Sequence, residues 1–247
     1  MLSIVAEYTK TGITGLDELL ENKGIPRNYL VYLVGSPGSG KTTLALQYLY
    51  TGATMYGEPG IYVSLDEEPR LLKANMSRFG WNFEKLEREG KIVFVDASPV
   101  RVSPDEIRLL LAGRRSLVPG ALIDQLETAM EEIGAKRIVI DPMIIFSVQY
   151  GQEMDRRSAI LDLLQGISRS KGTVLLVSEL AESSTDRKYL LEEYLAQGVI
   201  LLRKLPRQRS LTRVIEIEKM RGINHDTQLH PYQITQEGIV VYPTEIA

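Results

Sequence analysis

Short unbroken apolar runs recur along the chain, separated by longer segments of mixed character. "YLVYLV" (Tyr29 to Val34), "GIYVSL" (Gly60 to Leu65), "KIVFVD" (Lys91 to Asp96), "RIVIDP" (Arg137 to Pro142) and "TVLLVS" (Thr173 to Ser178) are continuous rather than alternating. Strands buried on both faces of a parallel sheet read this way. Between them, Thr42 to Tyr56, Glu68 to Arg78, Gly120 to Ile133 and Met154 to Lys171 have the length and character of helices. Strand–helix–strand order predicts a doubly wound α/β core, with helices on both faces of a mostly parallel sheet.

The pattern changes after Gln197. "GVILLRK", "TRVIEIEKM", "YQIT" and "GIVVYP" follow one another with only short turns between them. "TRVIEIEK" alternates apolar with polar residues, as a half-exposed strand does. These four runs are expected to be antiparallel strands extending the sheet at one edge. No internal repeat or low-complexity linker interrupts the chain, so residues 1–247 are expected to form one domain.

Composition narrows the function classes. With 44% hydrophobic and 25% charged residues in 247, the chain can bury a sizeable core. A net charge of −3 provides no global basic field to collect nucleic acid. There is no cysteine, and His225 and His230 are the only histidines, which disfavours disulfide, thiolate-metal and histidine-zinc chemistry. No apolar run approaches the ~20 residues that span a bilayer, and no signal peptide is recognisable, so a cytoplasmic location and no membrane partner are expected.

One stretch carries strong chemistry. In "LVYLVGSPGSGKTTLALQ", Gly35, Gly40, Lys41 and Thr42 fit G-x-x-x-x-G-K-[ST], with a hydrophobic strand entering and a helix leaving. Such a loop, here Gly35, Ser36, Pro37, Gly38, Ser39, Gly40, Lys41, Thr42 and Thr43, turns successive N–H groups toward phosphate oxygens at a helix N-terminus. Lys41 would reach the β- and γ-phosphates, and the Thr42 hydroxyl would ligate magnesium. Asp141 closes "RIVI" at the C-terminal end of a buried strand, where open α/β sheets bind ligands. It is the expected second magnesium ligand; the bland alternative is a solvated Asp opening a turn with Pro142.

Downstream, "YVSLDEEP" ends a strand in three carboxylates, Asp66, Glu67 and Glu68. A carboxylate one strand from the loop can orient and deprotonate water against a γ-phosphate. The bland alternative is an acidic helix start. A nucleotide kinase would be expected to add an arginine lid after the Asp141 strand, and none is seen.

Together these motifs resemble the KaiC-like group of RecA-superfamily ATPases. "TGITGLDELL" (Thr11 to Leu20), "ALQYLY", "SLDEEP", "SRFGW" (Ser77 to Trp81) and "EIEKMRGINHDTQLHPYQIT" carry the resemblance, which covers about Thr11 to Pro243. It implies a RecA-like P-loop NTPase core, bound ATP or ADP with Mg2+, and hydrolysis of ATP. It also implies that one of two adjacent acidic residues activates the lytic water. These match Asp66 and Glu67; the first is Asp here rather than the usual Glu, one methylene shorter, so Glu67 is favoured with Asp66 retained. Lys219 and Arg221 of "KMRG" match residues that reach a neighbouring subunit's nucleotide, and His225 matches a residue contacting the ligand across that interface. The resemblance further implies a homo-oligomer, a hexameric ring by preference, in a regulatory or signalling role.

Read alone, Lys219 and Arg221 are two surface cations on an edge strand, two apart and therefore on one face. "RKLPRQRSLTR", with Arg203, Lys204, Arg207, Arg209 and Arg213, reads as an exposed hairpin kept soluble by charge, with a nucleic-acid or protein contact as the alternative. A recombinase-like nucleic-acid-binding ATPase and a nucleotide-gated scaffold with little turnover are the competing functions. Nucleic acid is the less favoured partner, because Glu182, Asp186, Glu192 and Glu193 crowd the segment after Ser178. Trp81 is expected to pack in the core rather than stack on a base.

Overall fold

The computed structural model describes residues 7–97, 119–148, 150, 152–169, 171–180, 190–207 and 210–247. Two short strands, β1 (Tyr8–Thr9) and β2 (Ile25–Pro26), pair antiparallel. The remaining strands form one nine-stranded sheet. Its parallel part consists of β3 (Leu30–Gly35), β4 (Gly60–Ser64), β5 (Ile92–Asp96), β6 (Arg137–Asp141), β7 (Thr173–Glu179) and β8 (Gly198–Arg207). The antiparallel part is β9 (Ser210–Met220), β10 (His230–Thr235) and β11 (Gly238–Val241), and the order across the sheet is β11-β10-β9-β8-β3-β7-β6-β4-β5.

The unbroken apolar runs are where the parallel sheet lies. Every residue of β3, β4 and β6 is buried. On one face, α1 (Lys41–Met55) packs with the N-terminal segment, α2 (Pro69–Met76), α3 (Phe83–Arg88) and the C-terminal hairpin, around Leu44, Tyr48, Trp81, Ile215 and Ile239. On the other, α4 (Pro119–Ile133) and α6 (Glu153–Arg169) pack on Tyr32, Ile61, Ile138 and Leu176. A short α5 (Met143–Val148) follows β6, and α7 (Leu191–Leu195) precedes β8. Among the described residues no helix is long and apolar enough to cross a membrane.

Two sequence expectations need correction. The run beginning at Gly198 is antiparallel on one side only: β8 lies antiparallel to β9 but parallel to β3, with Leu33 opposite Ile200. Short turns dominate the downstream sequence, and they hid that β8 is entered from α7 rather than from a hairpin. The run Lys91 to Asp96 is not buried on both faces either. β5 is the last strand of the sheet, so Val93, Phe94 and Val95 stay half-exposed.

A charge holds the lower end of the core. Arg137 is fully buried at the start of β6 and donates from Nε and Nη2 to Glu58 Oε2, at 2.8 and 2.6 Å. Nη1 also donates to Tyr48 O at 2.7 Å and Nη2 to Lys10 O at 2.8 Å. A buried guanidinium is tolerated only when its donors are matched in this way. It ties the N-terminal segment, α1 and the β3–α1–β4 unit into one body.

Candidate functional site

The C-terminal edge of the parallel sheet gathers the chemistry. β3 ends at Gly35, and the loop Ser36 to Gly40 turns the chain into α1. Gly40 sits at φ 93°, in the left-handed region, and a Cβ there would lie 2.8 Å from Ile234 Cδ1. The left-handed φ is what calls for glycine here, and the Ile234 side chain of β10 would also have to shift to admit a Cβ. Tyr232 OH donates to Ser39 O, and Gln47 brackets Ile239 with bonds of 2.6 and 3.2 Å. The C-terminal hairpin thus buttresses the loop from behind.

Within the loop, Lys41 Nζ donates to Gly35 O at 2.9 Å and Ser36 O at 3.2 Å. Burial lowers its pKa from the usual lysine value. Glu179 and Asp141 act against that, and Lys204 adds to it. Thr42 Oγ1 donates to Asp141 Oδ2 at 2.8 Å, and Tyr62 OH donates to the same oxygen at 2.8 Å. Strand register produces this meeting, because Asp141 at the end of β6 pairs with Ser64 at the end of β4. Burial pushes the Asp141 carboxyl up to about 6, against the two hydrogen bonds that favour its charged form.

The acidic pair lies just beyond β4. Ser64 Oγ donates to Glu67 O and ties down the turn, while Glu67 Oε1 accepts from Asn75 Nδ2 of α2 at 3.2 Å. Asp66 is exposed and Glu67 half-buried. Both carboxyls are raised, chiefly by the protein around them, and the charge of Asp66 adds to the shift on Glu67. Glu68 lies immediately before α2 as its N-cap, with Pro69 opening the helix.

Lys219, Arg221 and His225 are not brought to this loop. Met220 pairs with Gly198, and Gly198 with Val31, whereas the loop begins at Gly35 opposite Leu202. Four strand residues separate the two levels, roughly 13 Å along the sheet. Lys219 Nζ donates to Glu193 O at 3.0 Å and Tyr194 O at 3.2 Å, and Arg221 Nη2 to Tyr194 O at 3.2 Å. The two cations cap the carbonyls at the end of α7. The strand stops at Met220, so a continuous strand does not align them. A register shift at Val199/Ile200 re-phases the end of β9, burying Ile217 and then Met220 and turning Lys219 outward. His225 Nδ1 lies 3.2 Å from Asp226 O.

Sequence reasoning missed two groups. Glu179, the last residue of β7, is in register with Gly35 and influences both Lys41 and Asp66. Its position at a strand's C-terminal end beside the loop strand was the available signal. Lys204, read as part of a solvated hairpin, instead places Nζ on Pro37 O. In the same segment Arg203 pairs with Glu216 at 3.1 Å, while Arg209, Glu182 and Asp186 lie outside the described residues. Trp81 is buried, stacked on Phe79 and Tyr50, as expected for a packing role.

A glycine-rich loop between β3 and α1, with a strand-end aspartate beneath it, on a mostly parallel sheet extended by antiparallel strands, defines a P-loop protein of RecA-like fold. The family model described as "ATPase: KaiC" matches residues 9–246, and the chain belongs to that family. A UPF0273 protein of Methanocaldococcus jannaschii is 36% identical over 96% of this chain and 97% of its own. The circadian clock oscillator protein KaiC of a Nostoc species is 31% identical over 96% of this chain, which spans 44% of that longer protein. The crystal structure of a KaiC-like protein from Pyrococcus horikoshii superposes with a TM-score of 0.83 at 37% identity, covering 96% of this chain and 100% of that one.

Proposed function

We propose that the chain is a magnesium-dependent ATP hydrolase that works as a homo-oligomer, a hexameric ring, with each nucleotide bound between neighbouring subunits. The observation that carries this reading is the meeting of Thr42 and Asp141 beneath the phosphate loop, 2.8 Å apart. A hydroxyl and a carboxylate at that spacing suit Mg2+, which takes few protein ligands and completes its shell with water and phosphate. Thr42 and Asp141 would hold the ion, which would neutralise charge on the β- and γ-phosphates. Lys41 would lie against those phosphates as a point charge, and the N–H groups of Ser36 to Thr43 would cradle them.

For the lytic water, Glu67 is favoured and Asp66 retained. Asn75 orients the Glu67 carboxylate, and the raised pKa of both groups suits a general base better than an ordinary surface carboxylate. Lys219, Arg221 and His225 would serve the nucleotide of a neighbouring subunit. Their distance from the loop of their own chain supports delivery in trans, as does the exposure of Tyr194 beside them. A cation delivered to the transition state is worth about 10³–10⁵ in rate in related phosphoryl transfer.

Residues 1–247 are read as one such domain, supported by the single sheet that runs through both halves of the chain. A regulatory role in the cytoplasm completes the reading. Phosphate release from ATP by the purified protein tests it. Turnover is expected for the wild type, loss of nucleotide binding for Lys41→Ala, and retained binding without turnover for Glu67→Gln. A wild type that binds ATP but releases no phosphate in single-turnover measurements would leave a nucleotide-gated scaffold instead.

A further inference from the structure

Lys204 stands out because it lies at the phosphate loop and, among the described residues, pairs with no carboxylate. It lies on β8, two residues past Leu202, which pairs with Gly35 at the mouth of the phosphate loop. Alternation along the strand therefore turns Lys204 to the same face as Leu202, toward the loop. Its Nζ donates to Pro37 O, and it lies 3.0 Å from where a Cβ on Gly38 would be. Gly38, at φ 69°, has no side chain to keep the ammonium off the backbone.

Lys41 holds the carbonyls of Gly35 and Ser36, and Lys204 holds the next one, that of Pro37. The two ammonium groups thus stand side by side on three consecutive residues, close enough for Lys204 to lower the proton affinity of Lys41. Directly across the strand pair from Lys204 is Arg213. Like charges placed opposite one another weaken an antiparallel pair. Among the described residues neither cation meets a carboxylate within ion-pair distance, although Arg203, one residue away, is paired with Glu216. Lys204 thus lies beside the phosphate loop with no carboxylate among the described residues as its ion-pair partner. An ammonium has three donors, and Pro37 O takes one.

We propose that Lys204 is a second phosphate-binding ammonium, contributed by the same chain, that contacts the terminal phosphate and favours a nucleoside triphosphate over a diphosphate. The proposal rests on the triphosphate reading of the loop given above. Lys41 serves the β- and γ-phosphates; Lys204 flanks it at the loop tip, where the added charge of the γ-phosphate distinguishes ATP from ADP. The role is one of binding and positioning, and it needs no neighbouring subunit.

Titration calorimetry with Mg-AMP-PNP and with Mg-ADP on the wild type, Lys204→Gln and Lys204→Arg tests it. Loss of one charge-assisted hydrogen bond predicts about a tenfold or greater fall in AMP-PNP affinity for Lys204→Gln, with ADP affinity changed by less than about threefold. Lys204→Arg, which keeps the charge, should restore most of the triphosphate preference. An equal loss for both nucleotides would make Lys204 a prop for the loop and overturn the proposal, as would no loss for either. A wild type that binds neither nucleotide would instead overturn the triphosphate reading itself, and that titration stands apart from the variants.

Discussion

Replacing Asp141 by asparagine should make the protein more stable while disabling it. The carboxyl is 5% exposed, and its pKa rises from 3.8 to about 6, chiefly through burial. A raised carboxyl means that the folded state binds a proton more tightly than the unfolded state. Stability from this group is full at low pH and declines as pH rises through 3.8 to about 6. With each tenfold in proton affinity worth about 1.4 kcal/mol, the ionised Asp141 costs about 3 kcal/mol at pH 7 and roughly half of that at pH 5. Thr42 and Tyr62 both donate to Oδ2 alone, so an asparagine carbonyl can keep both hydrogen bonds. Asp141→Asn should therefore exceed the wild type by up to about 3 kcal/mol at pH 7, with the gap roughly halved at pH 5. Urea unfolding of both proteins, at one protein concentration and with EDTA and no nucleotide, reads the gap. A variant no more stable than the wild type at pH 7, or a gap of equal size at both pH values, would refute the reasoning.

Other consequences are open to the same kind of measurement. Arg137→Ala removes the fully buried partner of Glu58 Oε2 and leaves the carboxylate with Arg27 alone, 3.0 Å from Oε1, so it should cost about 2–4 kcal/mol in urea unfolding, part of it for the cavity; a loss below about 1 kcal/mol would mean that Arg27 and water suffice for the carboxylate. Gly40→Ala must hold a left-handed φ and push back Ile234, so it should lose about 1–3 kcal/mol of stability together with nucleotide binding, read by calorimetry. Single-stranded DNA should leave ATP turnover unchanged at low and high salt, because a net charge of −3 supplies no basic field and Arg203 is paired with Glu216; stimulation that fades steeply with salt would favour the recombinase-like alternative.

The central part of the fold was legible because its strands are buried on both faces. Runs such as "YLVYLV" and "RIVIDP" have no other use in a chain with this order of elements. The phosphate loop and Asp141 were legible for a related reason, since a loop motif and a strand end are local features. What escaped was non-local or short. Phe83–Arg88 and Met143–Val148, six residues each, are too short for a helical period to be visible. The parallel direction of β8 depends on how the chain returns from α7. Lys204 looked like any basic residue in a charged hairpin, because only the pairing of Leu202 with Gly35 carries it to the loop. The same geometry leaves Lys219 and Arg221 on the far level of the sheet, a separation that local sequence cannot display.

That separation makes the shared site the claim most exposed to test. Two inactive proteins are mixed: Lys219→Ala with Arg221→Ala, which keeps the acidic pair, and Asp66→Asn with Glu67→Gln, which keeps the cations. ATP turnover is followed across mixing ratios, with co-assembly verified by capture of one tagged variant with the other. If each nucleotide sits between subunits, about a quarter of the interfaces in an equal, random mixture join an intact acidic pair to intact cations. Turnover should then return, reaching its maximum near equal proportions. Two variants that co-assemble yet stay inactive at every ratio would contradict the account.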